Sequence, residues 1–388
     1  MKLETRSKDS YLEKLAGMAD STRQNFKATY ESFDRFCQEK YDRSAEDIIQ
    51  EIPHEKDSEY EILQAWINWL SKNIIPSTIN TKFSALRGYF HYRGIKMYKE
   101  DIRQEIKLPK IPKEEKYPLK LEEIQKILNE ASFKKKTFYL TLLSSGMRVG
   151  EAVQLKKKHF DTSEKQFMIK IPANMTKTKA GRTVFISKEA SDAVRTLLKK
   201  TDDDDLVFAK NNKPHYAVCC EEMTFRRILR NTGLIESYDS SRTNKITMHS
   251  FRSYFFTKAT RKHGDNYAHK MTGHGGYLME YDRMTEPEKR TMYLELEPDL
   301  IIDSTERQKR IIDQKDKKIA EIEVRFLRLG KMMDKADKIQ KQLAKAEVIG
   351  AKVLDSIQKE DDDLYKKLTP ERDRLVAELV ALTQEKSD

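Results

Sequence analysis

A chain of 388 residues, 35% of them charged and with a formal net charge of +11, is long enough for two or three domains and more basic than an ordinary small-molecule enzyme needs. That balance calls for an anionic partner, nucleic acid foremost. Membrane insertion, secretion and structural zinc are disfavoured: no apolar run reaches spanning length, MKLETRSKDS has no apolar signal segment, and Cys37, Cys219 and Cys220 lack paired zinc spacing, which leaves reduced thiols in a cytoplasmic protein.

From Ser21 to Tyr41, Phe26, Tyr30, Phe33 and Cys37 recur every three or four residues, the signature of one buried helical face. EYEILQAWINWLSK and PSTINTKFSALRGYFHYRG continue a small helical domain. The second of these has Ser77 or Thr78 as its expected cap and Ile79, Phe83, Leu86 and Phe90 as its apolar stripe. Its polar face carries Asn80, Lys82 and Arg87, candidates for contacts to phosphates or base edges, against a plain solvated surface. LPKIPKEEKYPLK, with Pro109, Pro112 and Pro118 among lysines, breaks the helical pattern and reads as a basic linker. The expected division is a helical domain over 1–107, a linker over 108–118, a second domain over 119–300 and a tail over 301–388.

In the second domain LEEIQKILNEAS and KKTFYLTLLSSG predict helices, the latter closed by Gly146, and a further helix carries VGEAVQL. Two β-leaning runs, around Phe167 to Ile171 and Arg182 to Ile186, flank a basic turn and predict a hairpin with lysines near its tip. Helical patterns resume at KEASDAVRTLLKK, at AVCCEEMTFRRILRNTGL and after MHSFRS, so the fold class is mainly α with a small β component, α+β. The tail carries 20 basic and 19 acidic residues, which places the positive excess upstream of it. Ile319, Ile322, Phe326, Leu329, Met333 and Ala336 form an a/d seam. After a step of three to Ile339 the seam resumes in a shifted register through Leu343, Ala346, Gly350, Val353 and Ile357. Asp361 to Asp363 and Pro370 are expected to end this coiled-coil helix, with a short helix from Glu371 to Gln384 beyond.

The chemistry-bearing residues of the second domain come in a fixed order: Arg148 in SSGMRVGEAVQL, Lys177 and Lys179 in TKTKAGR, His249 and Arg252 in MHSFRS, His274 in TGHGG and Tyr281 in MEYDR. Each alone is unremarkable; an Arg after a Gly at a helix start, or one His-x-x-Arg, is usually structural. The whole string resembles the tyrosine recombinase (phage integrase) family, whose catalytic domain presents Arg, Lys, His-x-x-Arg, His and Tyr in this order. SSGMRVGEAVQLKKKHFD, with Glu151 and Asp161, is similar to the family's first box, and KITMHSFRSYFFT and KMTGHGGYLMEYDR to its second and third. The likeness covers roughly residues 15–300, with the helical first half similar to the family's core-binding domain.

The resemblance implies a site-specific integrase acting on double-stranded DNA as a homo-tetramer without cofactor or metal, for integration or excision of a viral or other mobile element, archaeal in flavour. It implies a cytoplasmic, nucleoid-associated protein. Arg148 and Arg252 are the expected phosphate forks, His249 the base, His274 the residue completing the cradle, Lys177 the general acid and Tyr281 the nucleophile. Glu151 is expected to orient Arg148. Lys179 competes with Lys177 for the hairpin tip. Tyr281 lies seven residues after His274, whereas familiar members place the tyrosine at nine, here Arg283, so Tyr277 and Tyr293 stay open as alternatives. A type IB topoisomerase or a non-catalytic DNA-binding scaffold is the competing function, and the coiled coil implies subunit association or a coiled-coil partner.

Overall fold

The computed structural model describes residues 6–52, 58–239, 241, 243–274, 283–359 and 361–384. The chain divides into two compact units, Met1–Tyr117 with Ile235–Lys245, and Pro118–Leu234 with Ile246–Asp388.

The first unit is helical: α1 (Lys8–Lys14), α2 (Asp20–Tyr41), α3 (Ala45–Glu51), α4 (Ser58–Leu70), α5 (Pro76–Arg93) and α6 (Lys99–Glu105). Helix α2 buries Phe26, Tyr30, Phe33, Phe36 and Cys37 and stops where Asp42 turns left-handed. Its core is aromatic, with Phe33 edge-on to Trp66 at 5.5 Å and to Phe90 at 5.9 Å. The expected stripe of α5, Ile79, Phe83, Leu86 and Phe90, is buried. Its start differs from expectation: neither Ser77 nor Thr78 caps it. Ile75 is the cap residue and Pro76 the first helical position, where a missing N–H costs nothing and a fixed φ already suits the helix. Asn80 is half-buried and Arg87 exposed; Lys82 donates to the Ala28 carbonyl of α2 at 3.0 Å.

In the second unit α7 (Leu121–Glu130) precedes α8 (Phe133–Ser145), which is buried on every side from Thr137 to Ser145. A helix so placed turns its short hydroxyl side chains onto its own backbone. Thr137, Thr141, Ser144 and Ser145 each donate to the carbonyl four residues earlier. Gly146 ends α8 at φ 64°, and a short helix α9 (Val149–Ala152) follows. Strands β1 (Phe160–Asp161), β2 (Met168–Ile171) and β3 (Arg182–Phe185) form one antiparallel sheet in the order β1-β2-β3, with Met168 opposite Phe185 and Ile171 opposite Arg182. Helices α10 (Lys188–Leu198), α11 (Pro214–Asn231), α12 (Met248–His263), α13 (Asp265–Thr272) and α14 (Glu286–Leu296) complete the body around α8. The fold is therefore mainly helical with one small sheet, the α+β class that the sequence implies.

The tail is one 55-residue helix, α15 (Ser304–Gln358), and a return helix α16 (Asp362–Gln384) packed antiparallel on its later half, with Gln342 donating to Glu378 at 3.2 Å. Pro370 does not end a helix; it lies inside α16, which starts at Asp362 rather than Glu371. The face of α15 under α16 contains Ile339, Gln342, Ala346, Gly350, Val353 and Ser356, whereas Leu343 and Ile357 of the expected seam are exposed. No described helix is long and apolar enough to cross a membrane.

Candidate active site

The site is organised around one buried carboxylate. Glu151, in the first turn of α9, accepts from the Arg148 backbone N–H at 2.9 Å and from Arg148 Nη1 at 3.1 Å, an arrangement set by their three-residue spacing. A second guanidinium grips it from the far side: Arg182, the first residue of β3, donates through Nη2 to Oε2 at 2.6 Å and through Nη1 to Oε1 at 3.1 Å. Burial alone would raise the Glu151 pKa, yet the bonds and charges of Arg182 and Arg148 outweigh it and hold the carboxyl below its ordinary value.

Arg182 also joins the sheet to α13, donating through Nε to the Met271 carbonyl at 3.0 Å. Its guanidinium lies flat against Gly273, where a Cβ would fall 2.8 Å from Nη1 and 2.9 Å from Cζ. Gly273 sits at φ 68° as the C-cap of α13 and aims the chain so that His274 follows immediately. Arg148 Nη2 reaches the Gly273 carbonyl at 3.4 Å.

From α12, Arg252 enters the same cluster almost fully buried. Its Nη1 donates to the Gly146 carbonyl at 2.6 Å and its Nη2 to His274 Nε2 at 2.9 Å. A guanidinium only donates, so His274 Nε2 must be unprotonated and the ring proton sits on Nδ1, which lies 3.3 Å from Thr272 Oγ1 and from His269 Nδ1. Burial, then the charges of Arg252 and Arg148, push the His274 pKa down to about 4. The same causes in the same order lower the pKa of His249, one turn before Arg252. Arg252 itself falls to about 10 through burial and repulsion from Arg148 and Arg182, and its Nε is buried without a partner among the described residues.

The structure thus gathers Arg148, His249, Arg252 and His274 from three separate segments, the start of α9, α12 and the end of α13, and adds Arg182 from β3, which is not among the residues expected from the sequence. The signal for it lies in TKTKAGR, where an arginine follows the hairpin glycine at the start of the second β-leaning run. Lys177 and Lys179 are both exposed at the β2–β3 tip, Lys179 in left-handed conformation at φ 55°, and no described hydrogen bond or ion pair ties either to the cluster. Tyr277 and Tyr281 lie outside the described residues. Tyr293 is fully buried in α14, donates to the Ser144 carbonyl at 2.9 Å and has its pKa raised well above the ordinary value by burial, which makes it a core residue. A cleft of about 1000 Å³ elsewhere in this unit is lined by Lys134, Lys156, Lys158, Lys200 and Asp204 among others, but Lys156 and Lys158 are already paired to Asp204 and the arginine cluster does not line it. Among the described residues no group of three or more His, Cys, Asp or Glu is placed to hold a metal.

Residues 117–278 match the phage integrase family. Two archaeal relatives are tyrosine recombinases called XerA. The one from Thermococcus onnurineus is 30% identical over 130 residues, 33% of this chain and 43% of that protein; the one from Pyrococcus horikoshii is 25% identical over 228 residues, 58% and 69%. The chain therefore spans less than half of the first relative. Among solved structures, a lambda integrase dimer bound to a COC' core site superimposes with a TM-score of 0.51 at 15% identity, covering 72% of this chain and 77% of that one, a likeness of fold. The ordered boxes, the helical fold and the family match agree over residues 117–278, and this segment, which holds the arginine cluster, is a phage integrase family domain.

Proposed function

We propose that this protein is a site-specific DNA recombinase that cuts and rejoins duplex DNA through a 3′-phosphotyrosine, serving integration or excision of a mobile element. The observation that carries the reading is the cluster itself: two partly satisfied guanidiniums, Arg148 and Arg252, converge with two histidines whose pKa values are lowered. Arg252 retains a buried Nε–H with no described acceptor. A phosphodiester oxygen is the acceptor that this donor lacks, and a phosphate relieves the repulsion among the three arginines.

In this scheme the Tyr281 oxygen attacks phosphorus while neutral His249 accepts its proton. The 5′ oxygen leaves and takes a proton from Lys177, or from Lys179 at the same hairpin tip. A phosphotyrosine and a free 5′-hydroxyl result. Charge on the non-bridging oxygens is met by Arg148 and Arg252, with His274 holding Arg252 in place; guanidinium forks do here what a metal does in other phosphoryl transfers. Attack by the 5′-hydroxyl of a second strand reverses the step, so the bond energy is conserved. Residues 1–107, with Asn80, Lys82 and Arg87, serve as the core-binding domain, 119–300 as the catalytic domain, and four copies assemble on two duplexes.

The test is a denaturing gel of wild type, Tyr281→Phe and Tyr293→Phe incubated in EDTA with nicked DNA carrying the recombination site. A covalent adduct lost only in Tyr281→Phe is the expected result. No adduct from folded wild-type protein on a validated site would replace this reading with a DNA-binding scaffold, and an adduct that persists in Tyr281→Phe would move the nucleophile.

A further inference from the structure

Upstream of its pairing with α16, helix α15 leaves an apolar stripe with no cover. The Gln342–Glu378 bond fixes the antiparallel alignment, so Gln384 at the end of α16 comes level with Ala336. Before that point Ile312, Ile319, Ile322, Phe326, Leu329 and Met333 are all more than half exposed, Phe326 to 68%, on a helix whose later part buries Val353 to 3%. They repeat at heptad a and d spacing, with Lys315 the one polar member between Ile312 and Ile319. A stripe of this extent on a solvated helix marks an interaction surface.

The charges beside the stripe identify the occupant. With Ile319 at position a, Asp316 and Glu323 fall at e, and Lys318 and Arg325 at g; Lys318, Glu323 and Arg325 are exposed and make no ion pair within the chain among the described residues. In a parallel, in-register pair of identical helices a g residue faces the e residue five positions on in the other chain, which sets Lys318 against Glu323 twice by symmetry. Antiparallel pairing brings g to g and e to e. In the antiparallel register centred between Phe326 and Leu329, Asp316 meets Asp337. One heptad back, Arg325 meets Arg325 and Glu323 meets Glu323. Both antiparallel registers that keep the stripe in contact therefore oppose like charges, and only the parallel one pairs opposite charges.

We infer that residues 312–336 of α15 form a parallel two-stranded coiled coil with a second copy of this chain, in the absence of DNA. The step of three between Ala336 and Ile339 divides the labour: before it the apolar face serves the second copy, after it a different face of the same helix serves α16. This inference stands independently of the reaction chemistry, since it concerns the free protein.

The full chain is measured by sedimentation equilibrium without DNA, as wild type, Phe326→Asp, Lys318→Glu and Lys318→Glu/Glu323→Lys. Because these side chains are exposed, the substitutions leave the fold intact, which circular dichroism checks. The expected result is twice the monomer mass for wild type, the monomer mass for Phe326→Asp, at least a tenfold weaker dimer for Lys318→Glu, and recovery in the double variant. Orientation is read from Ile319→Cys in a Cys219→Ser/Cys220→Ser background. A parallel pair brings the two new thiols together and gives an oxidised dimer on a non-reducing gel. The two antiparallel registers separate them by about 25 Å or about 15 Å, too far for a disulfide. A monomeric wild type, a dimer indifferent to Phe326→Asp, or a dimer that does not cross-link through position 319 would each overturn the proposal, and none of them bears on whether an adduct forms on DNA.

Discussion

Arg182 does its work at one remove from where a substrate phosphate would sit. It touches Glu151, the Met271 carbonyl and Gly273, and through them it fixes Arg148 and the backbone that delivers His274. Arg182→Ala strands a buried carboxylate beside a single remaining partner, so a loss of about 3–5 kcal/mol in unfolding free energy is expected by chemical denaturation. Arg182→Lys, which keeps the charge but not the fork, recovers only part of it. His274 provides a pH signature. Its folded pKa of about 4 lies below the ordinary value of about 6.5, so its contribution to stability is complete above pH 6.5 and is lost as the pH falls toward 4. Stability of the wild type should therefore drop more steeply over that window than stability of His274→Gln, and an NMR titration of the ring that gave an ordinary midpoint would refute the assignment.

At the level of elements, the turn between α8 and α9 is held by Gly146, whose left-handed φ and carbonyl both serve the site. A Cβ there would lie 2.8 Å from Phe255 Cγ, and Gly146→Ala is expected to cost about 1–3 kcal/mol from the backbone alone while displacing the acceptor of Arg252. Pro370 gives the opposite case. It removes a backbone donor inside α16, and Pro370→Ala should raise hydrogen-exchange protection around residues 366–378, with a gain of up to about 3 kcal/mol. Such elements differ in how far the sequence discloses them. The stripe of α5 and the end of α8 at Gly146 are legible because periodicity and a left-handed glycine are local facts. The start of α5 is harder to read, because the hydroxyls at Ser77 and Thr78 compete as caps with Pro76, whose fixed φ suits the first helical position. Arg182 differs again: its place after the hairpin glycine is legible, but its partners lie 31 and 89 residues away, and no local pattern encodes that closure. In the tail the helix could be read but not which face α16 would take, since both faces carry apolar residues at helical spacing.

For the molecule as a whole, the tail's attachment dictates where it can be removed. Leu300, Ile301 and Ile302 are core residues, and Glu189 accepts from the Ile302 N–H at 3.0 Å, so a cut at Ile301 would damage the body, whereas ending the chain after Asp303 spares it. The 1–303 protein is expected to be monomeric and to melt at the temperature of the full chain's body in calorimetry. That body carries a latent dependence on its solvent. Arg148 and Arg182 grip Glu151 while Arg252 makes no ion pair among the described residues, and the lowered pKa values of Arg252 and His274 reflect the crowding of positive charge in this cluster. Any small oxyanion that enters acts as the missing counter-charge and is linked to folding: at one hundred times its dissociation constant it adds about 2.7 kcal/mol. The melting temperature in millimolar phosphate should therefore exceed that in chloride of equal ionic strength, and Arg148→Ala should abolish the difference. The buffer then becomes a reporter of the site, able to register its occupancy without any nucleic acid present.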